Sequence, residues 1–182
     1  MTTGYIENFV TQSSPMNYQR VVILKEQAGE RYLPIWIGPA EADAIAVKLQ
    51  SVDVPRPLSH DLLWSVISSL NASLDSVVIN ELRDDTFYGR IILNAREGQV
   101  EIDSRPSDAL ALAVRAGAPI FAENTVLDKA GLLIDKETGR ATPQEMPERK
   151  NVSRDELKKL SAYIDFINTL DMDDFDKGSQ EE

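Results

Sequence analysis

The chain has no cysteine among its 182 residues and only one histidine, His60. Without cysteine there are no disulfides, no thiolate zinc sites and no cysteine nucleophile, and one imidazole does not make a classical zinc site. Such a chain suits a reducing compartment, and the cytoplasm is the expected location. Long apolar runs are missing as well. No stretch approaches the roughly 20 consecutive apolar residues of a membrane helix, and the opening MTTGYIENFV has neither the basic n-region nor the apolar h-region of a signal peptide. The phosphate-binding patterns G-x-x-x-x-G-K-[ST] and G-x-G-x-x-G do not occur, nor does the G-x-S-x-G turn of serine hydrolases.

Positive charge is in short supply. The formal net charge is -11, with 13 basic against 19 acidic residues in 1–140 and 6 against 11 in 141–182. Both parts are acidic, so the broad electrostatic footprint of a protein that neutralises phosphates is missing. A basic groove would have to be assembled locally by the fold.

What is present is an ordinary globular composition, 42% hydrophobic and 27% charged, which is enough to bury one good core. The expected organisation is one domain over 1–135, a polar linker over 136–152, an amphipathic helix over 153–172 and an acidic, disordered tail over 173–182. TGYIENFV, QRVVILKE and RYLPIWIG read as strands, the last two joined by a hairpin turn at Gln27 to Glu30. From Pro39 the period changes to that of a helix whose small and aliphatic residues predict that most of it is covered. A second helix, HDLLWSVISSL, follows the proline-broken Val52 to Pro57, with Ser59 as its expected N-cap, Asp61 in its first turn and Trp64 on its core face. LDSVVINEL, TFYGRIILNA and QVEIDS are strands again, followed by a helix from Pro106 to Ala116 closed by Gly117, a short strand PIFAE and a short helix near TVLDKAG.

Sliding the chain by 67 residues lays PAEADAIAV from Pro39 on PSDALALAV from Pro106, RYLPIWI on GQVEIDS and QRVVILKE on TFYGRIIL. Helices and strands therefore recur in the same order. The predicted fold is α+β: a pseudo-duplicated three-strand, two-helix unit with mostly antiparallel sheet and packed helices. In the C-terminal helix Ser153 and Glu156 form a capping box, and Leu157, Leu160, Tyr163, Ile164 and Ile167 share one face, which should dock on this domain or on a neighbouring subunit. The acidic end reads either as solvating or as a peptide offered to a basic protein partner.

The polar knot in IDSRPSDALALAVRAG admits two readings. Pro39 and Pro106 sit where a helix tolerates a missing N–H, and Glu41 and Asp108 sit where an acid meets the helix dipole, so both acids are explained as helix starts. Alternatively, Asp103, Arg105, Ser104 and Ser107 surround a helix N-terminus suited to phosphate, or Asp103 and Asp108 share a divalent cation. His60 would be the obvious choice for a general base or metal ligand, but its position also, and more simply, reads as a surface residue of a first turn. Tyr32, Trp36, Phe87 and Tyr88 offer rings for base stacking, or fill a core or an oligomer contact.

Taken in order, RYLPIWIGPAEADAIA, PRPLSHDLL, DTFYGRIIL and DSRPSDALALAVRAGAPIFA resemble the bifunctional nuclease family, from about residue 5 to residue 134. The resemblance implies an α+β domain, a homo-oligomer, and nuclease activity on both DNA and RNA. It brings no catalytic residue set with it; Glu41, Arg56, His60, Asp61, Asp103, Arg105 and Asp108 mark family identity. Phosphodiester hydrolysis needs an activated water and stabilised phosphate charge. On this reading Asp103, Asp108 and His60 are catalytic, Asp103 and Asp108 hold Mg²⁺ or Mn²⁺, and Arg105, Arg56 and Ser107 contact substrate. The competing reading is a non-enzymatic oligomeric module that binds a protein or a small ligand.

Overall fold

A computed structural model describes residues 11–13, 20–27, 29–134 and 141–143. The expected first strand over 3–10, the C-terminal helix over 153–172 and the tail over 173–182 lie outside the described residues. Strands β1 (Thr11–Ser13), β2 (Arg20–Lys25) and β3 (Arg31–Ile37) form an antiparallel meander. Helices α1 (Pro39–Leu49) and α2 (Ser59–Ser69) follow. The pattern repeats as β4 (Ser73–Arg83), β5 (Thr86–Ala95), β6 (Gly98–Ser104) and α3 (Pro106–Ala116). Then come β7 (Ile120–Ala122), α4 (Asn124–Ala130), β8 (Leu132–Ile134) and β9 (Ala141–Pro143). The fold is α+β with two mostly antiparallel sheets, ordered β1-β2-β3-β8-β9 and β6-β5-β4-β7; among the described strands only β7 joins in parallel, alongside β4.

The offset of 67 holds residue for residue. It carries β3 onto β6 and α1 onto α3 without a change of length. The residues before the two helices share one extended conformation, φ -69 and ψ 154 at Gly38 and φ -68 and ψ 144 at Arg105. Proline at the next position, with φ already suited to a helix, starts both.

One core cluster joins the two halves. Val22, Leu24, Leu33 and Ile35 from the first sheet meet Val77, Ile79, Ile91 and Leu93 from the second, with apolar side chains from all four helices between them. Helix α3 is central: Ala109 to Ala113 are at most 1% exposed, which small residues allow because they bring neighbouring backbones close. Helix α1 is less covered than its composition predicts. Ala42, Ala44 and Ile45 are buried while Ala40, Asp43, Lys48 and Leu49 face solvent, so its alanines lower bulk rather than mark burial on all sides. In α2 the cap also differs from expectation. Leu58 occupies the cap and Ser59 is the first helical residue, because Asp61 Oδ2 reaches back to accept the Leu58 N–H at 2.8 Å. Within the stretch read as linker, Ala141–Pro143 pairs with β8. No described helix is long and apolar enough to cross a membrane.

The second meander turns at Asp84 and Asp85, both at positive φ, as a two-residue hairpin of matching twist requires. Close to that turn, on β5, Gly89 lies under the start of α3, where an added Cβ would stand 3.2 Å from Pro106 N and Cα. Gly89→Ala is therefore expected to push the α3 start outward and cost about 1 to 3 kcal/mol. Urea unfolding checks this, and an unchanged midpoint would show that the contact is slack.

Candidate active site

Three elements bring their polar side chains to one place. His60 is the second residue of α2 and Asp108 the third of α3; their imidazole Nε2 and carboxylate Oδ1 are 3.0 Å apart. Arg105, at the cap of α3, donates from Nε to Asp108 Oδ2 at 2.8 Å and from Nη2 to Oδ1 at 3.1 Å. Its Nη1 lies 2.9 Å from Oε1 of Glu41, the third residue of α1. Burial of Asp108 pushes its pKa up, but hydrogen bonds and charge from Arg105 and His60 outweigh that, leaving it below the ordinary aspartate value. Asp108 is thus a carboxylate at neutral pH and accepts only, so Nε2 of His60 carries the proton between them. No described residue occupies Nδ1.

A salt bridge behind this cluster sets the distance between its helices. The Arg115 side chain, 3% exposed, donates from Nε to Asp61 Oδ1 at 2.6 Å, from Nη1 to Ala111 O at 2.9 Å and from Nη2 to Ala44 O at 3.2 Å. It ties the first turn of α2 to both α1 and α3. Burial raises the Asp61 pKa, and the Arg115 hydrogen bond with the Leu58 N–H more than reverses it. Sequence reasoning passes over Arg115, because a basic residue in a last turn is normally a dipole partner at the surface. The signal available was its place on an otherwise apolar helix.

The cluster borders an open groove of about 540 Å³, with Ala40, Ala44, Val47, Val54 and Leu58 as an apolar wall and Glu41, Asp43, Ser59, His60, Arg105 and Asp108 as the polar side. Of the residues singled out from sequence, His60, Arg105 and Asp108 meet here, joined by Glu41. Asp103 does not line the groove; it stands on β6 opposite Arg90. Arg56 is exposed in the bend before α2, and Ser107 is buried in the first turn of α3. The four rings weighed for stacking or for a core do not line the groove. Phe87 packs on the core, Arg83 lies over the Tyr88 ring at 4.7 Å, and Tyr32 and Trp36 belong to the first sheet.

As arranged, these donors do not fit a divalent cation. Asp108 spends both oxygens on cationic or N–H partners, a permanent guanidinium lies beside it, and no three His, Asp or Glu side chains converge among the described residues.

The fold and groove define a duplicated α+β domain with a His–Asp–Arg–Glu cluster where three helix starts meet. The chain belongs to the bifunctional nuclease domain family, whose domain matches residues 22–135. An uncharacterized protein of Mycobacterium tuberculosis is 42% identical over 157 residues, 86% of this chain and 90% of that protein. Bifunctional nuclease 1 of Oryza sativa subsp. indica is 23% identical over 124 residues, 66% of this chain and 38% of that protein.

Two outcomes follow from these contacts. Replacing Arg115 with Met leaves Asp61 and two helix carbonyls without their donor, and should cost about 3 kcal/mol, the low end for a broken buried pair because Asp61 is partly solvated; chemical denaturation measures it, and a loss under 1 kcal/mol would refute the strut. Asp108, Asp61 and, through the Arg31 hydrogen bonds, Glu26 all have folded pKa values below their ordinary ones. Their stabilisation is complete above the unfolded pKa of about 4 and is lost as pH falls through the folded values. Urea midpoints should therefore drop below about pH 4, and less steeply in Asp108→Asn. Parallel curves for the two proteins would contradict the shift assigned to Asp108.

Proposed function

We propose that this chain is a nuclease that hydrolyses phosphodiester bonds of DNA and RNA at the groove between α1, α2 and α3. The observation that carries the reading is the His60–Asp108–Arg105 contact set, placed by separate elements at the groove edge in a chain of the bifunctional nuclease domain family. Asp108 holds the imidazole with Nε2–H toward itself, which leaves Nδ1 of His60 to take a proton from an attacking water. Arg105, with 66% of its side chain exposed, offers its guanidinium to the phosphate oxygens as charge builds there. Glu41 holds that guanidinium at the groove mouth. Arg56, exposed before α2, is a further phosphate contact, and Ser107 supports the helix start. Asp103 enters none of these steps.

A single-stranded substrate fits this reading best, since unstacked bases can lie on the apolar wall of Ala40, Ala44, Val47, Val54 and Leu58. A homo-oligomer accompanies this reading, supported by Leu62, Leu63, Val66 and Leu70, exposed along α2 in a stretch without charge between Asp61 and Asp75. The absence of cysteine supports action in the cytoplasm.

One observation favours a second reading, a non-enzymatic module that binds a protein or small ligand. Glu41, Asp43 and Asp108 line the groove against the single arginine Arg105, so a polyanion meets net negative charge.

The test is cleavage of labelled single-stranded DNA and RNA by rigorously purified protein in Mg²⁺, in Mn²⁺ and in EDTA, beside folded His60→Ala and Asp108→Asn. Wild-type cleavage that falls at least about 100-fold in both variants is expected. Equal traces in all three proteins would support the binding module instead.

A further inference from the structure

The groove brings few tools to bear on a phosphodiester. Among the described residues it is lined by one imidazole and one guanidinium, and its acids do not form a set of donors that fits a divalent cation. Even the guanidinium is largely engaged. Nε and Nη2 of Arg105 donate to Asp108, Nη1 lies 2.9 Å from Glu41, and Asp43 adds another negative charge to the lining. Such a site can accept one proton and answer part of the phosphate charge. Direct attack by water asks for more, because the water must be captured, oriented and deprotonated together. A substrate that carries its own nucleophile removes two of those demands. In RNA the 2′-hydroxyl stands beside the phosphorus of its own nucleotide, and well-placed groups of this kind act at effective molarities of about 10⁵ to 10⁸ M, far above that of water. DNA has no such group.

We propose that the groove is built for single-stranded RNA and uses the substrate's own 2′-hydroxyl as nucleophile, with Nδ1 of His60 as its base. This rests on the nuclease reading of the same groove and names the preferred substrate and its product. The 2′-O–H bond breaks and its proton passes to Nδ1, while the 2′-oxygen bonds to phosphorus. The bond from phosphorus to the 5′-oxygen breaks, and that oxygen takes a proton from solvent in the open groove. His60 then returns its proton to solvent. No water is consumed, and the new ends are a 2′,3′-cyclic phosphate and a 5′-hydroxyl. Water enters only afterwards, opening the cyclic phosphate while Nδ1 again takes the proton.

The layout of the groove suits this chemistry. Asp108 accepts from Nε2 of His60 at 3.0 Å, which keeps Nδ1 the unprotonated nitrogen. The N–H groups of Arg105 that Asp108 and Glu41 do not engage are left for the phosphate oxygens. Leu58, on the apolar wall, is followed two residues later by His60, so a base resting on Val54 and Leu58 brings its ribose and 3′-phosphate toward the imidazole. The acidic lining fits as well. It weakens the hold on a long polyanion, so the groove favours a reaction whose nucleophile is already attached over one that depends on clamping the phosphate. DNA is left to direct and much slower hydrolysis.

The test uses the full-length chain, purified in parallel with folded His60→Ala and Asp108→Asn, on labelled oligonucleotides of one sequence made as RNA, as DNA and as DNA with a single ribonucleotide. In EDTA, RNA should be cut at least about 1,000-fold faster than DNA, and the mixed strand only on the 3′ side of its ribonucleotide. Mass spectrometry should find 2′,3′-cyclic phosphate ends, and both variants should lose at least about 100-fold in rate on RNA. Equal rates on RNA and DNA, ends that carry a 5′-phosphate, or RNA cleavage that requires Mg²⁺ or Mn²⁺ would overturn the proposal and leave the nuclease reading standing. Cleavage that His60→Ala retains in full, or no cleavage of any strand by the wild type, would overturn both.

Discussion

The guanidinium of Arg115 is almost wholly removed from water, and its N–H groups are satisfied by oxygens from three helices: Asp61 in α2, Ala111 in α3 and Ala44 in α1. A buried guanidinium tolerates few unpaired donors, so the three partners hold fixed relative positions or the charge is left exposed to a large desolvation penalty. Their arrangement fixes the groove. Asp61 and His60 are neighbours at the start of α2, so the bond that places one carboxylate also places the only imidazole. The Arg115 contact lies near the C-terminus of α3 and the Asp108 contact near its N-terminus, so α2 is tied to α3 through two successive residues at its own first turn. This explains how an 11-residue helix with a largely solvent-facing surface still presents His60 to within 3.0 Å of Asp108.

Close packing around α3 does the rest. Ala109, Ala111 and Ala113 let neighbouring backbones approach, and Gly89 lets β5 pass directly beneath Pro106. Bulk at any of these positions would be felt at Arg105 and Asp108, because the helix start has nowhere to move. The groove thus borders a closely packed part of the molecule, although several of the side chains facing it are polar. Rigid support of this kind suits chemistry that depends on positioned charges.

Much of this architecture was legible in the residues because its signals are local and repeated. Proline, an acid two positions on and an alanine-rich run announce α1 and α3, and the shift of 67 residues predicted matching elements that the fold reproduces in length. Exposure was less legible. Alanines say that a helix can be approached closely but not from how many sides, so α1 was expected to be more covered than it is. At the site, His60, Arg105 and Asp108 stood out by type and position, whereas their mutual contacts depend on how two helices 48 residues apart are docked. Asp103 was grouped with Asp108 because the two are close in sequence. Strand geometry separates them: Asp103 stands on β6 opposite Arg90, while Asp108 has already turned into α3. Arg115 was missed for the same reason in reverse, since the helix packing that buries it is not encoded in any local pattern.

The duplication carries the site further than either copy alone would. Glu41 and Asp108 are equivalent under the 67-residue shift, as are Gly38 and Arg105, and Lys48 and Arg115. Both acids therefore arise as ordinary helix-start residues, which accounts for them without any function. Packing α1 against α3 then brings the two starts together, and two carboxylates meeting in a partly dry place need a cation between them. One copy provides it: Arg105 bridges Glu41 at 2.9 Å and Asp108 at 2.8 Å, while at the corresponding Gly38 the Glu41 carboxylate fills the place a side chain would take. His60 breaks the equivalence again, since the shift places Leu127 in its position and buries it in the core. The helix-start and active-site readings of the polar knot are thus not rivals. Two structural acids, made neighbours by the repeat, are joined to an arginine and an imidazole only through the residues in which the copies differ, Arg105 against Gly38 and His60 against Leu127.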